Sequence, residues 1–206
     1  MKVLLVNGSP NKNGCTFTAL SEVAAQLEKD GVGAEILHLG KQPINDCADC
    51  GFCFKNGKCV FGDIVNETAA RLGEFDGFVF GAPVYYAGPS ARLLAFMDRL
   101  FYSAGGKLAY KPAAAVVSCR RGGSTASFDR INKYFTINNM PVVSSQYWNQ
   151  VHGNTPEEVR KDEEGMQTMR RLGRNMAWLL KCIGCGRSNG INVPDAETVV
   201  RTNFIR

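Results

Sequence analysis

The sequence has no long hydrophobic run, and this absence limits where the protein can act. None of its apolar stretches approaches the roughly 20 residues that a bilayer-spanning helix needs. Residues 1–8 hold an apolar run that is too short for the hydrophobic region of a secretory signal and that ends in a turn. We therefore expect no targeting segment, no membrane association and a cytoplasmic location.

Basic tracts and histidines are also scarce. The net charge is +5, but the arginine pairs at 120–121 and 170–171 are isolated, whereas a nucleic-acid surface needs a continuous basic stripe with interleaved aromatic residues. We therefore expect no nucleic-acid partner. The only two histidines, His38 and His152, lie in no motif, so packing or surface placement is favoured over a catalytic or metal-binding role.

Apolar runs and helical periodicity alternate along the chain, which is typical of βαβ units. The sequence predicts strands at residues 2–6, 32–39, 77–81 and 113–118, and a weaker fifth strand at 141–143. It predicts helices at about 16–30, 63–72, 90–101, 125–136 and 155–181, the last of them bent at Gly165 or Gly173. The segment 41–62 is too irregular for a helix, because it is rich in turn formers.

This order of elements predicts an α/β fold. The five strands would form a doubly wound parallel sheet with helices on both faces, in one domain over residues 1–206. A cysteine-rich loop at about 44–61 and a C-terminal helix plus tail at about 155–206 complete it. Ligands of such sheets bind at the carboxyl ends of the strands, so we expect the loops after the first, third and fourth of these strands to form one site.

The first of these loops, residues 8–16, has the chemistry of a phosphate-binding loop. It leads from a strand into a helix, so that backbone N–H groups and the positive end of the helix dipole face a ligand. Side-chain donors are Ser9, Asn11, Asn13 and Thr16. The loop lacks both Gly-x-Gly-x-x-Gly and Gly-x4-Gly-Lys-Ser/Thr, which disfavours a dinucleotide or a P-loop and favours a mononucleotide phosphate. An ordinary polar turn is the alternative.

The other two loops carry aromatic and basic side chains. In residues 81–90, Tyr85 and Tyr86 stand between glycines and prolines, where they either face an aromatic ring system or pack under a neighbouring loop. In residues 118–124, two glycines allow close backbone approach, and Arg120 or Arg121 could neutralise an anionic ligand.

The cysteines cluster strongly. Cys47, Cys50, Cys53 and Cys59 fall within 13 residues, and in a chain without a signal peptide such a group is metal-binding or catalytic more often than a disulfide scaffold. Bacterial ferredoxin runs begin with the same spacing, whereas structural zinc favours two pairs with a longer spacer. A cluster is therefore favoured, while zinc, free thiols and a disulfide stay open. The remaining cysteines are expected to be small buried hydrophobes or incidental: Cys15, Cys119, Cys182 and Cys185.

Together these motifs resemble the flavodoxin-like NAD(P)H-dependent FMN reductases, over roughly residues 1–125, and the cysteine spacing resembles the iron–sulfur flavoproteins among them. The resemblance implies a [4Fe–4S] cluster on the four clustered cysteines. It implies FMN held at its phosphate by Ser9, Asn11, Asn13, Gly14, Cys15 and Thr16, and at its ring and ribityl chain by Pro83, Val84, Tyr85, Tyr86, Ser118 and Arg120. Many relatives have asparagine where this sequence has Cys15.

The function that this resemblance implies is an FMN-dependent oxidoreductase. NAD(P)H or a ferredoxin-type donor would reduce the flavin, which would pass electrons to a quinone, a nitro or azo compound, O2 or the cluster. We expect Tyr85, Tyr86 and Arg120 to act at the ring, Trp148 and Asn149 either to wall the pocket or to pack in the core, and the chain to form a homodimer or homotetramer. The alternatives are an electron carrier without nucleotide turnover and a zinc-stabilised binding module.

Overall fold

The computed structural model describes residues 1–204; the last two residues of the predicted C-terminal tail, 205–206, lie outside the described part. The strands are, in chain order, β1 (Lys2–Asn7), β2 (Gly33–His38), β3 (Gly77–Tyr85), β4 (Gly88–Pro89), β5 (Ala113–Cys119) and β6 (Gln150–His152). The helices are α1 (Cys15–Lys29), α2 (Phe52–Asn56), α3 (Ile64–Arg71), α4 (Ala91–Ala104), α5 (Ser124–Ile137), α6 (Pro156–Lys161) and α7 (Glu163–Ser188).

The sheet has the order β2-β1-β3-β5-β6, and every pairing along this path is parallel. The short strand β4 pairs with β3 in an antiparallel hairpin off the path. The chain therefore crosses from β1 outward in both directions, which is the flavodoxin-like doubly wound order and places the switch in strand order between β1 and β3. The predicted fold class is confirmed.

The sheet is covered on both faces because its strands are apolar on both. In β1, Leu4 and Val6 belong to a cluster with α3, α4 and α5, whereas Val3 and Leu5 belong to a cluster with α1, α6 and α7. A strand buried on both sides needs this continuous apolar run rather than an alternating one. The two layers of helices leave the carboxyl edge of the sheet to the loops.

The fifth parallel strand is not where the sequence predicted it. Val142 makes only an isolated bridge to Ala113, and β6 pairs instead with residues 117–119 of β5. The predicted run at 141–143 opens with a proline, which cannot donate to a ladder. A strand of three residues such as β6 is too short to show a hydrophobic period.

Three further boundaries differ from the prediction. The segment 41–62 does contain a helix, the five-residue α2, which Gly51 and Gly57 bracket in left-handed conformation. The strand predicted to end at Gly81 continues to Tyr85 and turns back as a hairpin. The C-terminal helix is interrupted at Asp162 rather than bent at Gly165 or Gly173, and α7 runs on to Ser188.

Gly173 has a packing role in α7. A Cβ there would lie 2.8 Å from Cβ of Gln26 and 3.0 Å from the carbonyl oxygen of Val23, both on α1. The glycine thus lets α7 approach α1 closely across one face of the sheet.

Candidate functional site

The loop between β1 and α1 is held by side chains of three residues outside it, Asn7, His38 and Ser90. Asn7 accepts the N–H of Ser9 on its Oδ1 at 3.1 Å and donates from its Nδ2 to the carbonyl of Lys12 at 3.2 Å. His38 binds the carbonyl of Ser9 at 2.9 Å, and Ser90 donates to the carbonyl of Gly8 at 2.8 Å. The loop conformation is therefore fixed by the ends of β1 and β2 and by the residue before α4.

The helix that follows this loop, α1, has an uncapped N-terminus. The helix has a glycine, Gly14, at its N-cap, no side-chain cap hydrogen bond and no acidic residue in its first turn. The opposite arrangement occurs in α6 and α7, where Thr155 and Asp162 cap the first turn and two glutamates stand in each. The first N–H groups of α1 are thus free to bind an anion, with the helix dipole favouring negative charge.

Cys15 does not oppose an anion there. Burial, above other influences, raises the pKa of its thiol, so the side chain is neutral at pH 7. Its Sγ lies 3.7 Å from the carbonyl oxygen of Gly153. Cys15 therefore links the loop to the end of β6 without adding charge.

The three predicted loops meet at the carboxyl edge of the sheet. Oγ1 of Thr16 and Oγ of Ser118 lie 2.8 Å apart, and both residues are buried. Gly8 donates its N–H to the carbonyl of Gly81 at 2.9 Å. A Cβ on Gly123 would lie 2.7 Å from Cα of Ala87, so the third loop touches the hairpin directly. The predicted convergence of the loops is confirmed, while Asn11 and Asn13 stand exposed at its rim.

The hairpin has a strained tip. Tyr86 and Ala87 both have positive φ, at 49° and 59°, as the two central residues of a type I′ turn must, although glycine and asparagine are preferred there. Tyr85 is half exposed and Tyr86 fully exposed, so neither ring packs under a neighbouring loop. Strain of about 1–3 kcal/mol at such positions is typical of functional sites.

The two arginines of the third loop and the predicted wall residues Trp148 and Asn149 differ in solvent exposure. Arg120 and Arg121 are exposed within the third loop. Trp148 is half exposed and contacts the Tyr147 ring at a centroid distance of 4.7 Å. Asn149 is buried, and neither polar atom of its side chain has a hydrogen-bond partner among residues 1–204. The backbone carbonyl of Asn149 accepts the N–H of Val117 at 2.9 Å, directly before the third loop, whereas the ring contact of Trp148 is with Tyr147.

A second group of residues forms around the clustered cysteines. Cys47, Cys50, Cys53 and Cys59 line one pocket, together with Arg99. All four are free thiols, with Cys47 and Cys50 exposed and the other two half-buried. Within residues 1–204, no three His, Cys, Asp or Glu side chains stand close enough together to hold one metal ion. The chain gathers the thiols in one pocket but does not arrange them around a single ion.

The remaining cysteines only partly match expectation. Cys119 is buried and Cys15 half-buried, but Cys182 and Cys185 are exposed. The expectation of burial was wrong for these last two because they lie near the end of α7, beyond its packed part, whose buried residues end at Leu180.

The fold and these two sites define an α/β protein with an uncapped helix N-terminus at its sheet edge and a separate pocket of thiols. A family model described as NADPH-dependent FMN reductase matches residues 1–155. An iron–sulfur flavoprotein of Methanocaldococcus jannaschii is 33% identical over 197 residues, covering 89% of this chain and 99% of that protein. The chain belongs to the NADPH-dependent FMN reductase family, in its iron–sulfur flavoprotein subgroup.

Solved structures agree in fold. RosB, solved with bound 8-demethyl-8-formylriboflavin-5′-phosphate, has a TM-score of 0.70 at 14% identity, covering 100% of this chain and 94% of that one. A flavodoxin from the domain Archaea has a TM-score of 0.60 at 16% identity, covering 88% and 99%. At these identities the likeness shows the fold alone. None of the helices within residues 1–204 is long and apolar enough to cross a membrane.

Three residues that shape the first site, Asn7, His38 and Ser90, were not among the predicted site residues. Asn7 had a usable sequence signal, since an asparagine at a strand end before a turn often bonds the backbone two residues on. His38 and Ser90 had none, because each reaches the loop from a distant part of the chain.

Proposed function

We propose that the protein is an FMN-dependent oxidoreductase that passes electrons from NAD(P)H, or from a ferredoxin-type donor, to a small acceptor such as a quinone, a nitro or azo compound, or to an iron–sulfur cluster. Membership of the FMN reductase family supports the oxidoreductase class. The observation that supports FMN as the cofactor is the uncapped N-terminus of α1. Its free N–H groups and the lack of carboxylates in its first turn suit a terminal phosphate.

We propose that the residues around this terminus hold the phosphate and the rest of FMN. Ser9, Asn11, Asn13, Gly14, Cys15 and Thr16 would surround the phosphate, and Pro83, Val84, Ser118 and the hairpin tyrosines would flank the ribityl chain and ring. Bound FMN would supply hydride acceptance and the onward transfer of one or two electrons. Arg120, exposed within the third loop, would favour negative charge on a ring held there.

A pair of substitutions at one position tests the phosphate site. Gly14→Asp supplies a better N-cap than glycine but places a carboxylate where the phosphate would bind. Gly14→Ser is the matched control, since it adds the same Cβ and a cap without charge. We expect Gly14→Asp to raise the Kd for FMN by more than about tenfold over Gly14→Ser, while both variants bind riboflavin, which has no phosphate, equally. Equal FMN affinity in the two variants would refute the assignment.

The cysteine pocket would hold the second centre. Its donor set, four free thiols lining one pocket, suits a [4Fe–4S] cluster on Cys47, Cys50, Cys53 and Cys59. Such a cluster would supply one-electron transfer. The relative in Methanocaldococcus jannaschii is named an iron–sulfur flavoprotein, which supports the same assignment here.

A turnover assay distinguishes an enzyme from an electron carrier or a zinc-stabilised binding module. We expect the purified protein to oxidise NADH or NADPH in steady state with ferricyanide as acceptor, and Arg120→Gln to lower kcat more than the neighbouring control Arg121→Gln. No turnover with either nucleotide, in a preparation that contains flavin and iron, would instead indicate an electron carrier. A colourless preparation with zinc but no flavin would indicate a zinc-stabilised module.

We also propose a homodimer or homotetramer in the cytoplasm. The fully exposed ring of Tyr86 at the hairpin tip supports the oligomer, because aromatic side chains are enriched at interfaces between subunits. Sedimentation of the FMN-loaded protein tests this. A monomer at micromolar concentration would contradict it.

A further inference from the structure

Arg99 of α4 is a buried cation at the floor of the cysteine pocket. Its side chain has no solvent exposure, and a charge removed from water costs several kcal/mol unless it is paired and hydrogen-bonded. Asp63 provides the pairing with both carboxylate oxygens, at 2.7 and 2.8 Å from the two terminal nitrogens. An arginine guanidinium stays protonated in folded proteins, and the paired carboxylate of Asp63 stabilises that charge. The guanidinium is therefore charged.

The N–H groups of Arg99 that do not bind Asp63 point to the cysteine loop. Nε of Arg99 donates to Sγ of Cys59 at 3.2 Å. The terminal nitrogens reach the carbonyls of Asn45 and Phe61 at 3.3 and 3.4 Å, long for hydrogen bonds, and the guanidinium lies 4.9 Å from the ring centroid of Phe61. One side chain thus contacts the loop on both sides of the cysteine cluster.

Asn66 fixes the backbone of the same cysteine. It accepts the N–H of Cys59 at 2.9 Å and donates to the carbonyls of Cys59 and Phe61 at 2.8 and 2.9 Å. Asp63, the partner of Arg99, also caps α3 by accepting the N–H of Val65 at 3.1 Å. Cys59 is therefore held at its sulfur and at both backbone groups, while Cys47 and Cys50 are exposed.

Stability alone is a weak reason for this arrangement. A buried ion pair adds little net stability compared with apolar residues of the same volume, and Arg99 lies in α4 among the buried apolar residues Phe96, Met97 and Leu100. The feature that an apolar replacement could not supply is a fixed N–H and a positive charge beside a cysteine sulfur. In metal sites, hydrogen bonds and charges of this kind orient the ligand and set the reduction potential.

We propose that Arg99 is a positioning residue for the iron–sulfur centre: its Nε–H fixes Sγ of Cys59 as the preorganised ligand, and its charge raises the reduction potential of the bound cluster. The inference rests on the proposed function, since it presumes that the four thiols bind the cluster. The sign follows from charge, because reduction adds an electron and a nearby cation stabilises the more negative state.

The helix that carries Arg99 also begins at the flavin site. Ser90, the residue before α4, binds the carbonyl of Gly8 in the first loop, and nine residues of helix place Arg99 about 14 Å further along. The loop of one site and the anchoring cation of the other are thus joined by one rigid element.

The test uses full-length protein reconstituted anaerobically with iron and sulfide. Arg99→Lys keeps the charge opposite Asp63 but loses the planar fork and its Nε–H. The double variant Arg99→Met with Asp63→Asn removes both charges, so that no unpaired carboxylate remains if the single change is poorly tolerated. Arg92→Gln is the matched control: Arg92 lies on the same helix and bonds the carbonyls of Lys41 and Gln42, but no cysteine.

Two readouts are measured, the rate of iron loss to a chelator and the midpoint potential from an EPR-monitored redox titration. We expect both Arg99 variants to lose iron about 10–100-fold faster than the unmodified protein, with Arg92→Gln unchanged. The double variant should have a more negative potential although its net charge is unchanged, because it loses the N–H···S bond and the cation that contacts Cys59, whereas Asp63 contacts only the terminal nitrogens of Arg99; Arg92→Gln should keep the potential of the unmodified protein. Unchanged loss rate and potential in the Arg99 variants, with a cluster present in the unmodified protein, overturn the inference alone. If the unmodified protein binds no iron, the cluster assignment and the inference both fail, while FMN binding is judged separately.

Discussion

Oγ1 of Thr16 and Oγ of Ser118 lie 2.8 Å apart, and this hydrogen bond joins the first turn of α1 to the end of β5. Both residues are buried, at the edge of the sheet where the three loops meet. The bond connects parts of the chain 102 residues apart, so it fixes the relative position of the proposed phosphate and ring sites.

The first prediction follows from this pair. Thr16→Val or Ser118→Ala alone leaves the other buried hydroxyl without its partner, which costs about 1–3 kcal/mol in free energy of unfolding. The double variant removes both groups and should cost less than the sum, with a coupling of about 0.5–3 kcal/mol. Urea denaturation of the four apo proteins measures the cycle. Strict additivity would show that the two hydroxyls do not depend on each other.

The second prediction concerns the contact between the third loop and the hairpin. Gly123 has φ of +89°, and a Cβ there would lie 2.7 Å from the backbone of Ala87. Gly123→Ala should therefore lower the free energy of unfolding by about 1–3 kcal/mol and weaken FMN binding. Its neighbour Gly122 has open space at the same atom, so Gly122→Ala should leave stability unchanged or slightly raised. Similar losses in both variants, measured by denaturation, would contradict this account.

The third prediction concerns strain at the hairpin tip. Ala87→Gly removes the strain of a positive φ, and we expect a gain of about 0.5–1 kcal/mol in free energy of unfolding once the greater freedom of glycine in the unfolded chain is subtracted. The same change at Ala91, exposed in the first turn of α4, should cost up to about 1 kcal/mol. The two substitutions must differ in sign; a loss at Ala87 would show that its conformation is not strained.

The fourth prediction is a pH dependence at the edge of the sheet. Hydrogen bonds from Arg71 and then Lys2 hold the pKa of Glu35 at about 2 instead of 4.5. The stabilisation from this carboxylate is complete above pH 4.5 and is lost as pH falls toward 2. Glu35→Gln should therefore lower Tm at pH 7, and the difference from the unmodified protein should narrow at pH 3.

The control for this pH dependence is Glu28→Gln, at an exposed position on α1, which should change Tm little at either pH. Thermal melts in matched ionic strength provide the measurement. A difference for Glu35→Gln that stays constant between pH 7 and pH 3 would contradict the ion-pair explanation.

Local sequence patterns were enough to predict most of the fold. Continuous apolar runs such as residues 113–118 predicted buried strands, and the alternation with helical periods predicted a doubly wound sheet, because both patterns follow from burial of short segments. The prediction was wrong for the fifth strand, since the three residues of β6 owe their conformation to pairing with residues 117–119. That pairing is a tertiary effect with no local period.

The candidate sites also contain parts that local sequence predicts and parts that depend on contacts between distant residues. The phosphate loop and the cysteine cluster were visible because their residues are close in the sequence. The hydrogen bond from His38 to the first loop and that from Arg99 to Cys59 join residues 29 and 40 positions apart, and an arginine inside an apolar helix gives no indication of what it will bind. Such supporting contacts become evident only once the chain is folded.

The most direct test of the account is an absorption spectrum of anaerobically purified protein, with flavin, iron and acid-labile sulfide measured on the same sample. We expect one FMN per chain together with equal amounts of iron and sulfide, and an absorbance that bleaches on reduction. A preparation with neither flavin nor iron, in protein that is folded by circular dichroism and does not take up FMN on addition, would contradict it.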